Sequence, residues 1–279
     1  MSNIFKFKYS LLLLAPVFFS CSKTLDVNNN PNTVREVSPD VLFNYALTSW
    51  SAKKQDGDGY IPFAFLTQTQ ASGGNYGWGK SDVYDINPVV IRNMWRCYYV
   101  NAGNNLKLAI EQAENASPKN NNAAAQSKIL LANLAYECST IWGDIPFSEA
   151  WNKSIPYPKF DSQKEVFDEV LGLLDEAIAQ VDESSSVKIG EYDILYHGDM
   201  ARWKKYATAL KLKVLMTMVD KDPTKASAIG TLIQSGNMLS SSSDNVLYPF
   251  LNVPGKENPK NRILTTYTGG FNFFFYCNN

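Results

Sequence analysis

The sequence is poor in the residues from which most catalytic and metal sites are built. It has one histidine, His197, and four cysteines among 279 residues. The cysteine spacings match no zinc motif, and neither H-E-x-x-H nor G-x-S-x-G occurs. Basic and acidic residues nearly balance, with a formal charge of −1, whereas nucleic-acid binding usually needs a basic face. The composition therefore predicts no enzyme, no metal site or other cofactor, and no nucleic-acid partner.

Long apolar runs are also missing, apart from a short one near the N-terminus. Leu11 to Phe19 follow two lysines and precede Ser20-Cys21. This run is about half of the ~20 residues that a spanning helix needs, so it predicts a signal peptide. A cysteine directly after a small residue at this point indicates a bacterial lipoprotein; a plain secretory signal is the alternative. We expect residues 1–20 to be removed, Cys21 to carry acyl chains such as palmitate, and residues 21–40 to form a polar tether.

Two other cysteines, Cys97 and Cys138, fall inside predicted helices. Small buried thiols are one interpretation of such positions. A disulfide between the two is the other, because an exported protein meets oxidising conditions. The sequence leaves both open.

The remaining residues, 41–279, predict an all-α domain. Apolar side chains recur at helical spacing from Leu42 to Trp50 behind a predicted Asp40 cap, and then in five further stretches. These stretches lie at residues 91–113, 131–142, 166–181, 203–218 and 228–233. Ser162 and Glu165 form a capping box, and Asp199 caps a later helix. Successive pairs of this length predict stacked helical hairpins, similar to tetratricopeptide repeats, with long irregular loops between them.

One loop of this helical body is unusually apolar. Residues 142–150 read Trp-Gly-Asp-Ile-Pro-Phe-Ser-Glu-Ala, in which Gly143 and Pro146 end a helix. Its large apolar side chains predict a packed seam between two helical hairpins. Asp144 and Glu149 could in principle be a carboxylate pair, but a turn acid and a helix-start acid explain them more simply.

A second loop, from Asp56 to Pro88, combines aromatic residues with glycines and amides. Loops of this length inside a compact domain are usually functional or disordered, and the aromatic content argues against disorder. Sugar rings stack on aromatic faces while polar side chains meet their hydroxyls. The sequence therefore predicts a glycan-binding site at Tyr76, Trp78 and Tyr84, with Asn75 and Asp82 as polar partners; Lys80 offers a further polar group. The alternative is that these rings anchor the loop in the core.

The same loop contains a sequence match to a phosphate-binding motif. Residues 74–81 satisfy G-x-x-x-x-G-K-[ST]. That motif works only between a buried strand and a helix that begins at the lysine. The flanking residues predict neither element, so nucleotide binding is not expected.

Four features together resemble the SusD/RagB-like outer-membrane lipoproteins, in particular the SusD-like subgroup described as starch-binding associating with the outer membrane. They are the Cys21 signal followed by Leu25-Asp-Val-Asn-x-x-Pro31, the segment 142–150, the run Pro158-Lys-Phe-Asp-Ser-Gln163, and Gly198-Asp199 leading to Trp203 and Tyr206. The resemblance extends over residues 15–270. It implies a helical scaffold of tetratricopeptide type.

The resemblance also implies a function. Such proteins are lipid-anchored at the cell surface, bind glycans without cleaving them, and deliver them to a TonB-dependent, SusC-like transporter for nutrient uptake. A helical-repeat adaptor lipoprotein that binds only protein is the alternative. Family members are much longer, and the end at residues 271–279 is rich in phenylalanine and lacks a predicted capping element. We therefore expect residues 41–279 to be the N-terminal part of the fold, with the C-terminal half missing, and the phenylalanine-rich end to be prone to aggregation.

Overall fold

The computed structural model describes residues 37–72, 79–263, 265 and 274–276, and helices dominate these ranges. The α-helices are α1 (Pro39–Gln55), α2 (Gly57–Leu66), α3 (Pro88–Arg96), α4 (Asn104–Asn115), α5 (Asn121–Trp142), α6 (Gln163–Gln180), α7 (Met200–Met218), α8 (Ala226–Ser235) and α9 (Pro259–Arg262). A π-helical segment (Cys97–Gly103) joins α3 to α4. The short strands are β1 (Gln70–Ser72), β2 (Gly79–Lys80), β3 (Asp85–Ile86) and β4 (Phe274–Tyr276). The predicted all-α class is confirmed.

Helices that follow one another along the chain also pack side by side. α4 packs on α5, α5 on α6, α6 on α7 and α7 on α8, while α1 lies against α4 and the π-helical segment. The buried faces merge into one hydrophobic core, in which Phe43 meets Trp203 edge to face at 5.9 Å between ring centroids. This is the stack of helical hairpins that the spacing predicts.

The predicted helix starts are mostly confirmed. The Ser162 hydroxyl accepts from the Glu165 backbone N–H, and the Glu165 carboxylate accepts from the Ser162 backbone N–H, as a capping box requires. Asp199 accepts from the Arg202 backbone N–H. The first helix differs, because it begins at Pro39 with Ser38 at the N-cap position, and Asp40 lies in its first turn. Proline at the first helical position fixes this earlier start.

The prediction of a continuous loop from Asp56 was wrong for its first third. Gly57–Leu66 forms α2, and the Asp56 carboxylate caps it by accepting from the backbone N–H groups of Asp58 and Gly59. Ile61 and Phe65 are fully buried on this helix. Glycine at position 59 is required, since a Cβ there would lie 2.0 Å from the Lys53 carbonyl oxygen.

Two small antiparallel sheets flank the helices. β2 pairs with β3, with Gly79 opposite Ile86 and Lys80 opposite Asp85. β1 pairs with β4, with Gln70 opposite Tyr276 and Ser72 opposite Phe274. The sequence predicts no capping element for the phenylalanine-rich end, but backbone pairing with β1 covers one edge of residues 274–276.

Candidate functional site

The predicted glycan-binding residues that the structure describes, Asp82 and Tyr84, lie in a tight hairpin. A 3₁₀ turn (Ser81–Val83) and Tyr84 connect β2 to β3. Tyr84 has φ 61° and ψ 17°, the left-handed conformation that closes a four-residue turn. A non-glycine residue costs about 1–2 kcal/mol in this conformation. Strained residues of this kind concentrate at ligand-binding sites, where surrounding structure holds them in place.

The hairpin tip presents apolar surface to solvent. The Tyr84 side chain is 76% exposed and Val83 is 66% exposed, with Ile86 and Val89 also on the surface. Tyr84 therefore does not anchor the loop in the core, which was the alternative interpretation. An exposed tyrosine ring on a short, strained turn is suited to stack on a flat ligand face.

Polar groups lie at the base of the same hairpin. Gln70 and Ser81 are fully buried, yet the Gln70 amide and the Ser81 hydroxyl have no hydrogen-bond partner within the described ranges. Buried polar groups are nearly always hydrogen-bonded to protein or water. These atoms are enclosed by the fold, so an ordered water is the partner that would satisfy them.

The structure describes only part of the predicted residue set, and the binding role of every residue in the set stays a prediction. It places Asp82 and Tyr84 two residues apart in one turn, beside the exposed Lys80. Asn75, Tyr76 and Trp78, together with the lipidation residue Cys21, lie outside the described residues. Their roles stay predictions.

The sequence match to a phosphate loop lacks its helix, as expected. A single 3₁₀ turn of three residues follows Lys80, and the chain then enters β3. The amides of one helix start cannot converge on a phosphate here. Within the described ranges, no group of three histidine, cysteine or acidic residues could hold a metal ion.

The second predicted feature, the apolar seam, is a densely packed aromatic cluster. Gly143 takes φ 76° at the end of α5, and Ile145 is fully buried. Trp95 meets Trp142 edge to face at 5.3 Å and stacks on the exposed Phe160 at 6.3 Å. Trp95 and Trp142 also pack against the core, and Trp203 is completely buried, so these three tryptophans serve packing.

A buried carboxylate, which the sequence does not predict, organises the seam. Asp161 is 1% exposed and accepts hydrogen bonds from the backbone N–H groups of Phe147 and Ser148 and from the Ser148 hydroxyl. The Lys159 ammonium lies 3.1 Å away. Burial alone would raise the pKa of Asp161, but these donors outweigh it and lower the pKa to about 2. The carboxylate stays charged and holds the seam to α6.

Asp144 and Glu149 have structural partners. Asp144 accepts from the Gln163 backbone N–H at 2.9 Å, and Glu149 accepts from the Lys159 backbone N–H at 2.9 Å. Asp144 thus serves as a turn acid beside the start of α6, as the sequence favoured. The helix start predicted at Glu149 is wrong, because residues 143–162 form turns and loop, and Glu149 instead holds the loop at Lys159. His197 has a left-handed backbone conformation, and its backbone N–H donates to the Asp193 backbone carbonyl.

Cys97 and Cys138 are both buried free thiols, which settles the alternative that the sequence left open. Burial raises the pKa of Cys97 to about 11 and the pKa of Cys138 well above its usual value. The thiols therefore remain protonated at neutral pH and behave as small apolar residues.

Among the described helices, none has the length and apolar content to cross a bilayer.

Comparisons with known proteins give the family. The family model described as "Starch-binding associating with outer membrane", SusD-like, matches residues 31–271. A search of curated proteins gives no significant match. Among solved structures, a chitin-binding protein aligns with TM-score 0.71 and 23% identity, over 86% of this chain and 50% of the other.

Two further structures show the same fold. A SusD/RagB family protein from Bacteroides thetaiotaomicron aligns with TM-score 0.71 and 20% identity, over 83% of this chain and 49% of the other. A SusD homolog from Parabacteroides distasonis aligns with TM-score 0.70 and 21% identity, over 82% and 45%. The chain thus spans about half the length of the structures that it matches. Because the family model covers most of the sequence, the chain belongs to the SusD-like family.

Proposed function

We propose that this chain is a surface lipoprotein that binds glycans through the loop between α2 and α3. The observation that carries the proposal is the exposed, left-handed Tyr84 at the tip of the β2–β3 hairpin. Membership of a family described as starch-binding and associating with the outer membrane supports it. The chitin-binding protein with the same fold supports a polysaccharide ligand in general.

In this proposal the loop binds sugar by stacking and hydrogen bonding. The Tyr84 ring covers the C–H face of one sugar ring, and Tyr76 and Trp78 supply further stacking faces. Asp82 and Asn75 meet hydroxyl groups, since a carboxylate accepts and an amide both donates and accepts. The protein holds the glycan without cleaving it.

The proposal also includes anchoring and delivery. Lipid on Cys21 holds the protein at the outer membrane, and residues 21–40 let the domain extend away from the membrane surface. The bound glycan passes to a TonB-dependent, SusC-like transporter. Co-purification of such a barrel with the acylated chain, and its loss in Cys21→Ser, is the expected result.

Affinity electrophoresis tests the binding site. Wild-type protein and Tyr84→Ala are run through gels containing amylopectin or glycol chitin. We expect at least one polysaccharide to retard the wild type, and Tyr84→Ala to bind it about tenfold more weakly, the equivalent of roughly 1.4 kcal/mol. Tyr84→Ala keeps the Cβ and therefore the same left-handed backbone, and the ring that it removes is exposed, so it is not expected to unfold the hairpin.

Tyr157→Ala is the matched control, because Tyr157 is 92% exposed on a different connection, between α5 and α6. It should migrate like the wild type. If the polysaccharide retards Tyr84→Ala and Trp78→Ala as strongly as the wild type, the loop is not the binding site. Absence of retardation by any polysaccharide, together with capture of a protein partner, would instead favour the helical-repeat adaptor.

A further inference from the structure

A groove lies over α5, between α4 and α6, and the proposed loop site does not use it. Both outer helices pack against α5. The groove encloses about 500 Å³. Its α6 wall runs from Glu169 to Glu176, seven residues along one helical face, or about 10 Å. This length suits a disaccharide.

One end of the groove is closed by a rigid aromatic side chain, Trp151. Its backbone has φ 62°, and its indole N–H donates to the Tyr99 carbonyl at 2.8 Å. The ring lies so close to Gly103 that a Cβ there would be 2.1 Å from ring atom Cζ2. Gly103 and Tyr99 belong to the π-helical segment, and such segments are frequent at functional sites. The indole is therefore held in place before any ligand arrives.

The opposite end is closed by an ion-pair cluster. The Lys128 side chain is 7% exposed and its ammonium bridges the two walls, at 2.8 Å from Glu114 on α4 and 2.9 Å from Glu176 on α6. The Gln180 amide also donates to Glu114, at 3.3 Å. These contacts join α4 and α6 through Lys128 at this end of the groove.

Between the two ends, the groove has an apolar floor and two charged groups without partners. Ile110 and Leu131 line the floor. Lys107 on α4 and Glu169 on α6 make no hydrogen bond or ion pair with any described residue, although the Lys107 charge favours the ionised Glu169 carboxylate. At Gly172 an added Cβ would have no atom within 4 Å, so the α6 wall has an open notch there.

This lining discriminates between classes of ligand. An anion would face Glu114, Glu169 and Glu176, and a cation would face the unpaired Lys107. A wholly apolar ligand would strip water from Lys107 and Glu169 without replacing it, which is costly. A neutral sugar fits each part, since its hydroxyls donate to a carboxylate and accept from an ammonium while its C–H face covers Trp151.

We propose that the α4–α5–α6 groove is a second saccharide site, which takes a neutral disaccharide unit between Trp151 and the Lys128 ion-pair cluster. The site is separate from the Tyr84 hairpin and does not depend on it. It places a sugar contact on the rigid helical scaffold.

Methyl NMR of the full chain tests this site locally. The methyl groups of Ile110, Leu131 and Leu173 report on the groove, and the probes are maltose, cellobiose and chitobiose. We expect at least one disaccharide to shift these signals with a millimolar Kd. Gly172→Phe fills the notch and should weaken binding at least about tenfold. Replacing an exposed helical glycine does not threaten folding, because glycine is itself a poor helix former.

Gly230→Phe on α8 is the matched control, since an added Cβ there also meets no atom within 4 Å. It should bind the disaccharide like the wild type. Glu169→Leu gives a second test, because it removes the acceptor while preserving the helix and should also weaken binding. The proposal would be overturned if the groove methyl signals responded to no disaccharide, or responded as strongly in Gly172→Phe as in the wild type. A response to triglycine alone would also overturn it. Because the readout is confined to groove methyls, the result is independent of the Tyr84→Ala outcome.

Discussion

Asp161→Asn offers a quantitative test of how the seam is held together. The substitution keeps the shape of the side chain and an oxygen that can accept from the backbone N–H groups of Phe147 and Ser148. It removes the negative charge and with it the attraction to the Lys159 ammonium. Any loss of stability therefore reports mainly on the charge.

The expected magnitude follows from the pKa. The Asp161 pKa falls from an ordinary value of 3.8 to about 2 in the folded protein. A depression of this size corresponds to about 2 kcal/mol of stability at pH 7. This contribution is complete above the unfolded-state pKa and is lost as the pH falls through the folded-state pKa. Linkage predicts roughly half of it at pH 3 and little at pH 2.

The assay is urea unfolding followed by circular dichroism between pH 3 and pH 7. We expect Asp161→Asn to be about 2 kcal/mol less stable than the wild type at pH 7, with the gap narrowing toward pH 3. Asp220→Asn is the control, because Asp220 is exposed and has no hydrogen-bond or ion-pair partner within the described ranges. A gap that stays constant with pH would refute the electrostatic explanation, and no gap at all would refute the role of Asp161 in the seam.

Other consequences of the packing can be measured with the same protein. Gly103→Ala forces the Trp151 ring aside and should lower the free energy of unfolding in urea by about 1–3 kcal/mol. Gly230→Ala should leave this free energy unchanged or raise it slightly, and equal effects of the two substitutions would contradict the close contact. At pH 8, iodoacetamide should modify Cys97 about 100-fold more slowly in native protein than in urea, because burial raises the pKa of its thiol to about 11. Cys138 should be protected at least as strongly, and rapid labelling of either thiol in the native state would contradict its burial.

The helical scaffold was predictable because its signals are local. The Ser162–Glu165 capping box places two reciprocal partners three residues apart, and the structure has both bonds. The stripe from Val166 to Leu174 faces the core as its 3.6-residue spacing requires. Recurrence of such stripes is sufficient to predict stacked hairpins.

Two helical features escaped the sequence because their local signals conflict with the outcome. Gly57–Leu66 begins with two glycines and contains Pro62, which are turn signals, yet burial of Ile61 and Phe65 overrides them. The π-helical segment at Cys97–Gly103 has apolar spacings of three and four residues. Over so few residues these spacings look the same as those of an α-helix.

The candidate sites also differ in how far the sequence predicts them. The location of the aromatic loop could be predicted from composition, since glycine, tyrosine and acidic residues cluster along one short stretch, but its hairpin and the exposure of Tyr84 could not. The role of Asp161 could not, because the N–H groups that it accepts from lie more than ten residues earlier, at Phe147 and Ser148. The groove joins Lys107 to Glu169 across three helices, and only the folded chain brings these two residues together.

Isothermal titration of the mature, non-acylated chain against a panel of soluble polysaccharides tests the central claim most directly. We expect saturable binding of at least one member of the panel, with affinity reduced in Tyr76→Ala, Trp78→Ala and Tyr84→Ala and unchanged in Tyr157→Ala. Folded protein that binds no polysaccharide in the panel would contradict glycan binding as the function of this chain.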